Sequence, residues 1–194
     1  MEKNVYELTC GQEVVNLQGS LSFHKNVFNI MATLTLDNEV DFDLMKQAFN
    51  KVVERNDCLR LKFFKQKRKL VQIFEDKRVY ENIPVLSFKT EQEQEVFLQK
   101  ETKKVTPFKK GSVIDPFFIH TFDGKWMIVL RVCHLALDVY GINIIYKDLL
   151  DVYNAMKNET DLPECPTSFE TMIQADLKKK HDENYTAKNR EFFS

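Results

Sequence analysis

His134 and Asp138 are the two side chains whose types and spacing best fit a chemical role. His134 follows the apolar run from Trp126 to Val132, which predicts a buried strand, and Asp138 lies four residues later, before a predicted helix. An imidazole takes up and returns a proton near neutral pH, and a nearby carboxylate can orient it or anchor the loop. Loops at strand ends commonly carry catalytic groups. The segment therefore predicts a proton-transfer site, and its alternative interpretation is a packed histidine followed by a helix-capping aspartate.

Two other chemistries could use the same histidine. Cys133 stands next to His134, but neighbours on a strand point to opposite faces, which disfavours a Cys–His nucleophile pair. Metal binding is disfavoured because the histidines lack the spacing of a ligand set. The chain contains these four histidines: His24, His120, His134 and His181.

The elements around this segment mix strands and helices without strict alternation. Alternating apolar residues predict a strand from Phe28 to Leu36, broken at Asp37-Asn38, and Asp41 is a candidate cap for the next helix. The other predicted helices begin after a cap at Thr9, run from Glu91 to Val105 before Pro107, run from Gly141 to Met156, and begin after a cap at Ser168. The other predicted strands are Leu59 to Phe63, which returns through a turn over Lys65 to Lys69 as a strand to Phe74, and Val85 to Phe88. Phe117 to Phe122 and Trp126 to Val132 form a predicted hairpin. This order predicts an α+β fold, a two-layer α/β sandwich, as one domain over residues 1–194.

Composition excludes several classes of protein. The 194 residues are 43% hydrophobic, and 28 Lys and Arg balance 29 Asp and Glu, so no excess positive charge predicts a nucleic-acid or membrane-surface partner. Basic clusters such as Lys65 to Lys69 and Lys178 to Lys180 are interpreted as solvated turns and helix ends. The four cysteines are far apart, no apolar run of about 18 residues is present, and no signal peptide is evident. A cytoplasmic protein is therefore expected.

The segment around His134 resembles the H-H-x-x-x-D-G motif of chloramphenicol-acetyltransferase-like acyltransferases. The second histidine of that motif matches His134, and its aspartate matches Asp138. Cys133 occupies the position of the first histidine, and Val139-Tyr140 displaces the glycine, so that the nearest glycine is Gly141.

Other segments resemble the condensation domains of nonribosomal peptide synthetases within that superfamily. Leu8 to Gln12 is similar to their opening L-(S/T)-x-x-Q, and Val53 to Phe63, including Arg60, is similar to V-x-R-x-x-x-L-R-x-x-F. Thr106-Pro107-Phe108 is similar to their P-F-D segment. The resemblance covers nearly all of this chain but only the N-terminal half of such a domain, whose C-terminal subdomain is absent from the sequence.

The resemblance implies acyl transfer, including peptide-bond formation, from a thioester on a phosphopantetheine arm to an amine or hydroxyl. His134 would act as a general base or position the nucleophile, and Asp138 would have a structural role, paired with an arginine. It implies no metal and no directly bound cofactor. The implied partners are an acyl or peptidyl carrier protein and a C-terminal half or dimer partner, which would cover an exposed apolar face. The alternative is a non-catalytic interaction module with a degenerate site.

Overall fold

The computed structural model describes residues 4–22, 28–37, 39–104 and 111–182. The predicted features at His24, Asn38, Val105 and Thr106 to Lys110 therefore lie outside the described residues. The strands are β1 (Tyr6–Glu7), β2 (Asn29–Leu36), β3 (Leu61–Gln66), β4 (Lys69–Phe74), β5 (Val85–Ser87), β6 (Ile114–His120) and β7 (Trp126–Cys133). The helices are α1 (Cys10–Leu21), α2 (Phe42–Arg55), α3 (Glu91–Lys103), α4 (Val139–Lys157) and α5 (Phe169–Lys180), with a 3-10 turn at Asp57–Arg60.

The described strands form two sheets. An antiparallel sheet has the order β1-β4-β3, and a mixed sheet has the order β2-β7-β6-β5, in which only β5 and β6 are parallel. Strand β7 is therefore internal in the larger sheet, and it pairs with β2 along its whole length, from Trp126 opposite Leu36 to Cys133 opposite Asn29. The α+β class and the mixed sheet flanked by helices are confirmed.

The largest apolar core lies between the four-stranded sheet and helices α2 and α4. Phe49 and Val52 of α2 pack with Leu149 of α4 and with Ile128 and Leu130 of β7. All five side chains are almost completely buried. The spacing of the apolar residues along each helix creates one continuous buried face, so that both helices lie against the sheet. This packing fixes where β7 ends and α4 begins.

Helix caps account for most of the predicted helix starts. Thr9 caps α1 through a capping box with Gln12, and the Asp41 carboxylate accepts the Leu44 N–H at 3.0 Å at the start of α2. Both predictions are confirmed. Ser168 precedes α5 as predicted, but its hydroxyl does not cap that helix. The cap comes instead from Asp57, whose carboxylate accepts the Phe169 N–H at 2.8 Å.

Three predicted boundaries move for local reasons. Leu59 belongs to the 3-10 turn, so β3 begins at Leu61 instead of Leu59. Strand β6 begins at Ile114 and ends at His120, so both of its ends lie earlier than predicted. Helix α4 begins at Val139 instead of Gly141, because Asp138 caps it. The predicted hairpin turn between β3 and β4 is confirmed and is formed by Lys67 and Arg68. No helix in the described part of the chain is both long and apolar enough to cross a membrane.

Candidate active site

A cavity of about 690 Å³ lies where α1, the 3-10 turn, α4 and α5 meet the end of β7. Most of its lining is apolar, including Val15, Leu137, Ile145 and Phe169. His134 and Asp138 both line this cavity, as does Gly141. The structure therefore brings three of the five candidate residues to one concave, mostly apolar site, the usual setting of a small-molecule site.

His134 is half-buried at the first position after β7. Its backbone N–H donates to the carbonyl of Phe28 at 2.6 Å, which continues the hydrogen bonding between β7 and the segment leading into β2. The imidazole Nδ1 is buried and has no hydrogen-bond partner in the described part of the chain. An unpaired buried nitrogen is uncommon in native structures, and a catalytic role is one of the explanations for it.

Asp138 caps α4 and does not contact the imidazole through a hydrogen bond. Its Oδ1 accepts the Gly141 N–H at 2.8 Å, and the side chain is exposed. Among the described residues it forms no ion pair with a lysine or an arginine, so the arginine expected from the family resemblance is not supplied there. The geometry therefore shows the helix-capping aspartate of the alternative interpretation, and this carboxylate does not orient the imidazole through a hydrogen bond.

Gly141 lies in the first turn of α4, against the turn that carries His134. A Cβ at this position would stand 2.8 Å from Leu137 Cδ2 and 3.4 Å from Asp138 Oδ1. The absence of a side chain therefore permits the close approach of the Asp138 cap. Val139 and Tyr140, which displace the expected glycine, are both exposed.

Cys133 points away from the cavity into a second core with Phe28, Leu61 and Phe63. Burial raises the pKa of its thiol to about 12. Because the thiolate is the nucleophilic form, a thiol that stays protonated at neutral pH is a poor nucleophile. The structure thus disfavours the Cys–His pair, because Cys133 lies in the second core while His134 lines the cavity, as expected for neighbours on opposite faces of a strand.

Arg60 lies outside this cavity and makes backbone contacts. Its Nη1 donates to the carbonyl oxygens of Val53, at 2.7 Å, and Glu54, and its Nε donates to the Glu75 carbonyl at 3.0 Å. These bonds satisfy carbonyl groups at the C-terminal end of α2, where a cation is also favoured by the helix dipole. Arg60 therefore joins α2 to the end of β4.

Asp57 and Asn56 line the cavity, although the sequence places them only within the segment from Val53 to Phe63 and predicts no role for them at a site. The Asp57 carboxylate accepts bonds from Ser168 Oγ at 2.6 Å and from the N–H groups of Phe169 and Glu170 at 2.8 and 3.1 Å. The Asn56 side chain donates to Asp148 Oδ2 at 2.7 Å. Asp148 also pairs with Arg55 at 3.3 Å, in a buried contact between α2 and α4. These contacts hold α5 and α4 at the cavity wall.

The charge of the cavity is negative. Asp57 and Asp138 contribute carboxylates, and no lysine or arginine is among the described residues that line it. Burial also raises the pKa of the Cys58 thiol, which lines the cavity, to about 12. Two carboxylates, an imidazole and an apolar surface therefore line the cavity, and each carboxylate accepts N–H groups at the start of a helix.

The rim of the cavity is apolar and exposed. Tyr140 is 82% exposed, and Ile144 and Met172 are each more than half exposed. Large apolar side chains grouped at the mouth of a cavity commonly mark a surface that another part of a protein covers. The sequence predicts an exposed apolar face, and this rim of the His134 cavity is the candidate for it.

The two sheets, the flanking helices and the histidine at the end of an internal strand define one half of a chloramphenicol-acetyltransferase-like fold. The profile of the condensation domain family matches residues 2–192. This chain therefore belongs to the condensation domain family.

Curated relatives are much longer proteins. Tyrocidine synthase 3 of Brevibacillus parabrevis is 22% identical over 184 residues, covering 92% of this chain and 3% of that protein. Gramicidin S synthase 2 of Brevibacillus brevis is 22% identical over 166 residues, covering 82% of this chain and 4% of that protein. This chain thus spans only a small fraction of the relatives that it matches.

Solved structures of the same fold include two condensation domains. A variant of the starter condensation domain of the rhizomide synthetase RzmA in complex with C8-CoA has a TM-score of 0.83 and 20% identity, covering 92% of this chain and 42% of that one. The first condensation domain of the CDA synthetase has a TM-score of 0.80 and 15% identity, covering 96% of this chain and 49% of that one. Each solved chain is about twice as long as the part that matches.

Proposed function

We propose that this chain provides the histidine-bearing half of a condensation active site. That site transfers an acyl group from a thioester, on the phosphopantetheine arm of a carrier protein or of CoA, to an amine or hydroxyl. The observation that supports this most directly is His134, half-buried in an apolar cavity with an Nδ1 that no described residue binds.

The reaction needs a proton acceptor close to the nucleophile. The acceptor nitrogen attacks the thioester carbonyl, a C–N bond forms, the C–S bond breaks, and the thiol leaves with a proton. His134 takes the proton of the attacking amine or holds the amine in line and stabilises the charged intermediate. General-base assistance is typically worth 10²–10⁴-fold, so the residue should dominate the rate of the chemical step.

The character of the cavity supports an amine acceptor. Its two carboxylates and the absence of lysine and arginine from its described lining favour an ammonium group over an anionic one. Its apolar surface suits an acyl chain or an apolar amino-acid side chain. One RzmA variant was crystallised with C8-CoA and Leu-SNAC, and we expect a pair of ligands of this kind to suit the site proposed here.

A second subdomain, or a second copy of the chain, completes the site in this proposal. The exposed rim at Tyr140, Ile144 and Met172 would be covered by that partner. The intact mass of the native polypeptide distinguishes the two arrangements. A mass well above 22.9 kDa supports a covalent second half, and a mass of 22.9 kDa requires a dimer or a separate partner chain.

The test is amide formation from C8-CoA and Leu-SNAC, followed by mass spectrometry, with this chain and with the native polypeptide that contains it. We expect His134→Ala to lower the rate by about 10²–10⁴-fold. The matched control is His120→Ala, since His120 is an exposed histidine on β6. A rate that is the same for His134→Ala and for the parent protein would show that His134 is not the proton acceptor.

The second candidate function is binding without catalysis. It is favoured by the exposed Asp138, which has no ion-pair partner among the described residues, and by Val139 and Tyr140 at the position of the expected glycine. A binding module would bind an acylated carrier protein, as measured by calorimetry. It would give no amide product either as this chain or as the native polypeptide that contains it. Product that depends on His134 would exclude this function.

A further inference from the structure

Two buried glutamines lie beside the turn that carries His134, and Gln12 is also one of the residues that line its cavity. Gln12 of α1 is 6% exposed, and Gln72 of β4 is completely buried. Glutamine is rarely buried to this extent, because its amide contains two donors and an acceptor that all need partners. The proposed reaction assigns no role to either side chain.

The two amides satisfy each other and three backbone segments. Gln12 Nε2 donates to Gln72 Oε1 at 2.9 Å and to the Leu135 carbonyl at 2.8 Å. Gln72 Nε2 donates to Gln12 Oε1 at 2.7 Å and to the Glu7 carbonyl at 2.8 Å, and Gln12 Oε1 also accepts the Thr9 N–H at 2.9 Å. Reversing the Gln12 amide would set two oxygens against each other at Leu135, so its orientation is fixed.

This network reaches the residue that follows His134. The Leu135 carbonyl is held by Gln12, and the His134 N–H is held by the Phe28 carbonyl at 2.6 Å. The backbone is therefore fixed immediately before and after the side chain of His134. The contact to Leu135 is made by the Gln12 side chain and can therefore be removed by substitution, whereas the contact to Phe28 is between backbone groups.

The imidazole depends on this backbone for its direction. Functional histidines are commonly oriented by a bond from one ring nitrogen to a carboxylate or a carbonyl. Here Nδ1 has no partner among the described residues, and the Asp138 carboxylate is engaged by the start of α4. The position of the main chain and the surrounding packing are the remaining determinants.

We propose that Gln12, held by the Thr9 N–H and the Leu135 carbonyl, is a positioning residue that sets the direction of the His134 imidazole through that carbonyl. The catalytic consequence rests on the function proposed above, in which His134 manages a proton. An apolar pair of the same size could fill this space, but it would leave the buried Leu135 carbonyl and the partly buried Glu7 carbonyl and Thr9 N–H without these partners.

The test compares Gln12→Met with Gln72→Met. Both substitutions break the amide pair and preserve its volume, but only Gln12→Met removes the donor to Leu135. Thermal unfolding measures the structural effect, and NMR titration of the His134 imidazole, assigned with His134→Ala, measures the positioning effect. Gln18→Met is the matched control, since Gln18 lies exposed on the same helix.

We expect both buried substitutions to lower the Tm and Gln12→Met alone to move the His134 resonances and their pH midpoint strongly. Equal movement in the two variants, or movement in neither, would overturn the proposal. Should Gln12→Met fail to fold, Gln12→Asn replaces it, because its shorter amide does not reach Leu135.

The rate assay adds a second readout. In acyl transfer we expect Gln12→Met to lower kcat by about 10- to 100-fold with little change in KM, since a small misplacement of a reacting group has an effect of this size. Gln72→Met should stay within a few-fold of the parent. If the parent itself gives no product, the proposed function fails, while the NMR comparison still decides whether Gln12 positions His134.

Discussion

Two regions of different character meet at the His134 cavity. On one side, α2 and α4 cover the four-stranded sheet through apolar packing, with Phe49, Val52 and Leu149 at its centre. On the other side, α1, α5 and the small sheet surround a smaller apolar core and are also connected by many polar contacts, including the Gln12–Gln72 pair and the Asp57 cap. Packing in the larger core holds β7 against α4, and polar contacts from the other side hold the turn between them. The comparison indicates that stability and positioning are divided between the two sides.

The largest loss of stability is expected in the apolar region. Phe49→Ala removes a completely buried ring from the main core, and truncations of this type cost about 3–5 kcal/mol. Urea unfolding followed by circular dichroism measures the change. Phe122→Ala, at an exposed phenylalanine, should cost far less. Similar losses in the two variants would contradict the assignment of this core.

Gly19→Ala tests the contact between α1 and the segment before β2. Alanine favours a helix over glycine by about 1 kcal/mol. At Gly19, however, a Cβ would stand 1.9 Å from the Phe28 ring, so displacement of that ring should dominate, with a net loss of about 1–3 kcal/mol. Gly11→Ala, in the same helix with no atom within 4 Å, should be neutral or stabilising. Stabilisation by both substitutions would show that Phe28 does not pack on α1 as described.

Asp57→Ala tests the polar connection to α5. It removes the acceptor for two N–H groups at the start of that helix, a loss worth about 1–2 kcal/mol for a helix cap. Hydrogen exchange of the α5 amides should accelerate more than exchange in α2. Asp161→Ala, at an exposed aspartate in the loop before α5, is the control. Uniform acceleration across both helices would mean that α5 does not open separately.

The smallest effect is expected in the hairpin turn between β3 and β4, which lies outside the helices and does not contain His134. Lys67 and Arg68 both have positive φ values, +46° and +70°, which glycine adopts without steric cost. Relief of the left-handed conformation is worth about 1–2 kcal/mol, and the extra chain entropy of an unfolded glycine opposes it by about 0.5–1 kcal/mol. Arg68→Gly should therefore raise the free energy of unfolding by about 0.5–1 kcal/mol. A shift of the urea midpoint to a higher concentration checks this, and Arg78→Gly, in a residue with ordinary backbone angles, should not reproduce it.

The apolar region was predictable because its pattern is periodic. Leu44 to Val53 reads as one face of a helix and Phe28 to Leu36 as one face of a strand, and both elements are present with small shifts at their ends. The motif around His134 could be placed at the end of a strand because the apolar run before it, from Trp126 to Val132, predicts that strand. The Thr9-Gln12 capping box was visible in part, since Thr9 was predicted as a helix cap.

The polar contacts were not predictable, because they join residues far apart in the sequence. Asp57 caps a helix that begins 112 residues later, and Gln12 holds a carbonyl 123 residues away. A buried glutamine or aspartate carries no periodic signal, and its partner depends on the packed fold. The same holds for Arg60, whose resemblance to a family motif gave its position but not its contacts with α2 and Glu75.

The central claim is that an acyl donor binds in the cavity next to His134. The most direct test is an NMR titration of the histidine imidazoles with a non-reactive thioether analogue of C8-CoA. The account predicts a saturable shift of the His134 resonances, which are identified by their loss in His134→Ala. The resonances of the exposed His120 and His181 should change little. Saturable binding that leaves the His134 resonances unmoved would place the acyl donor elsewhere and contradict the account.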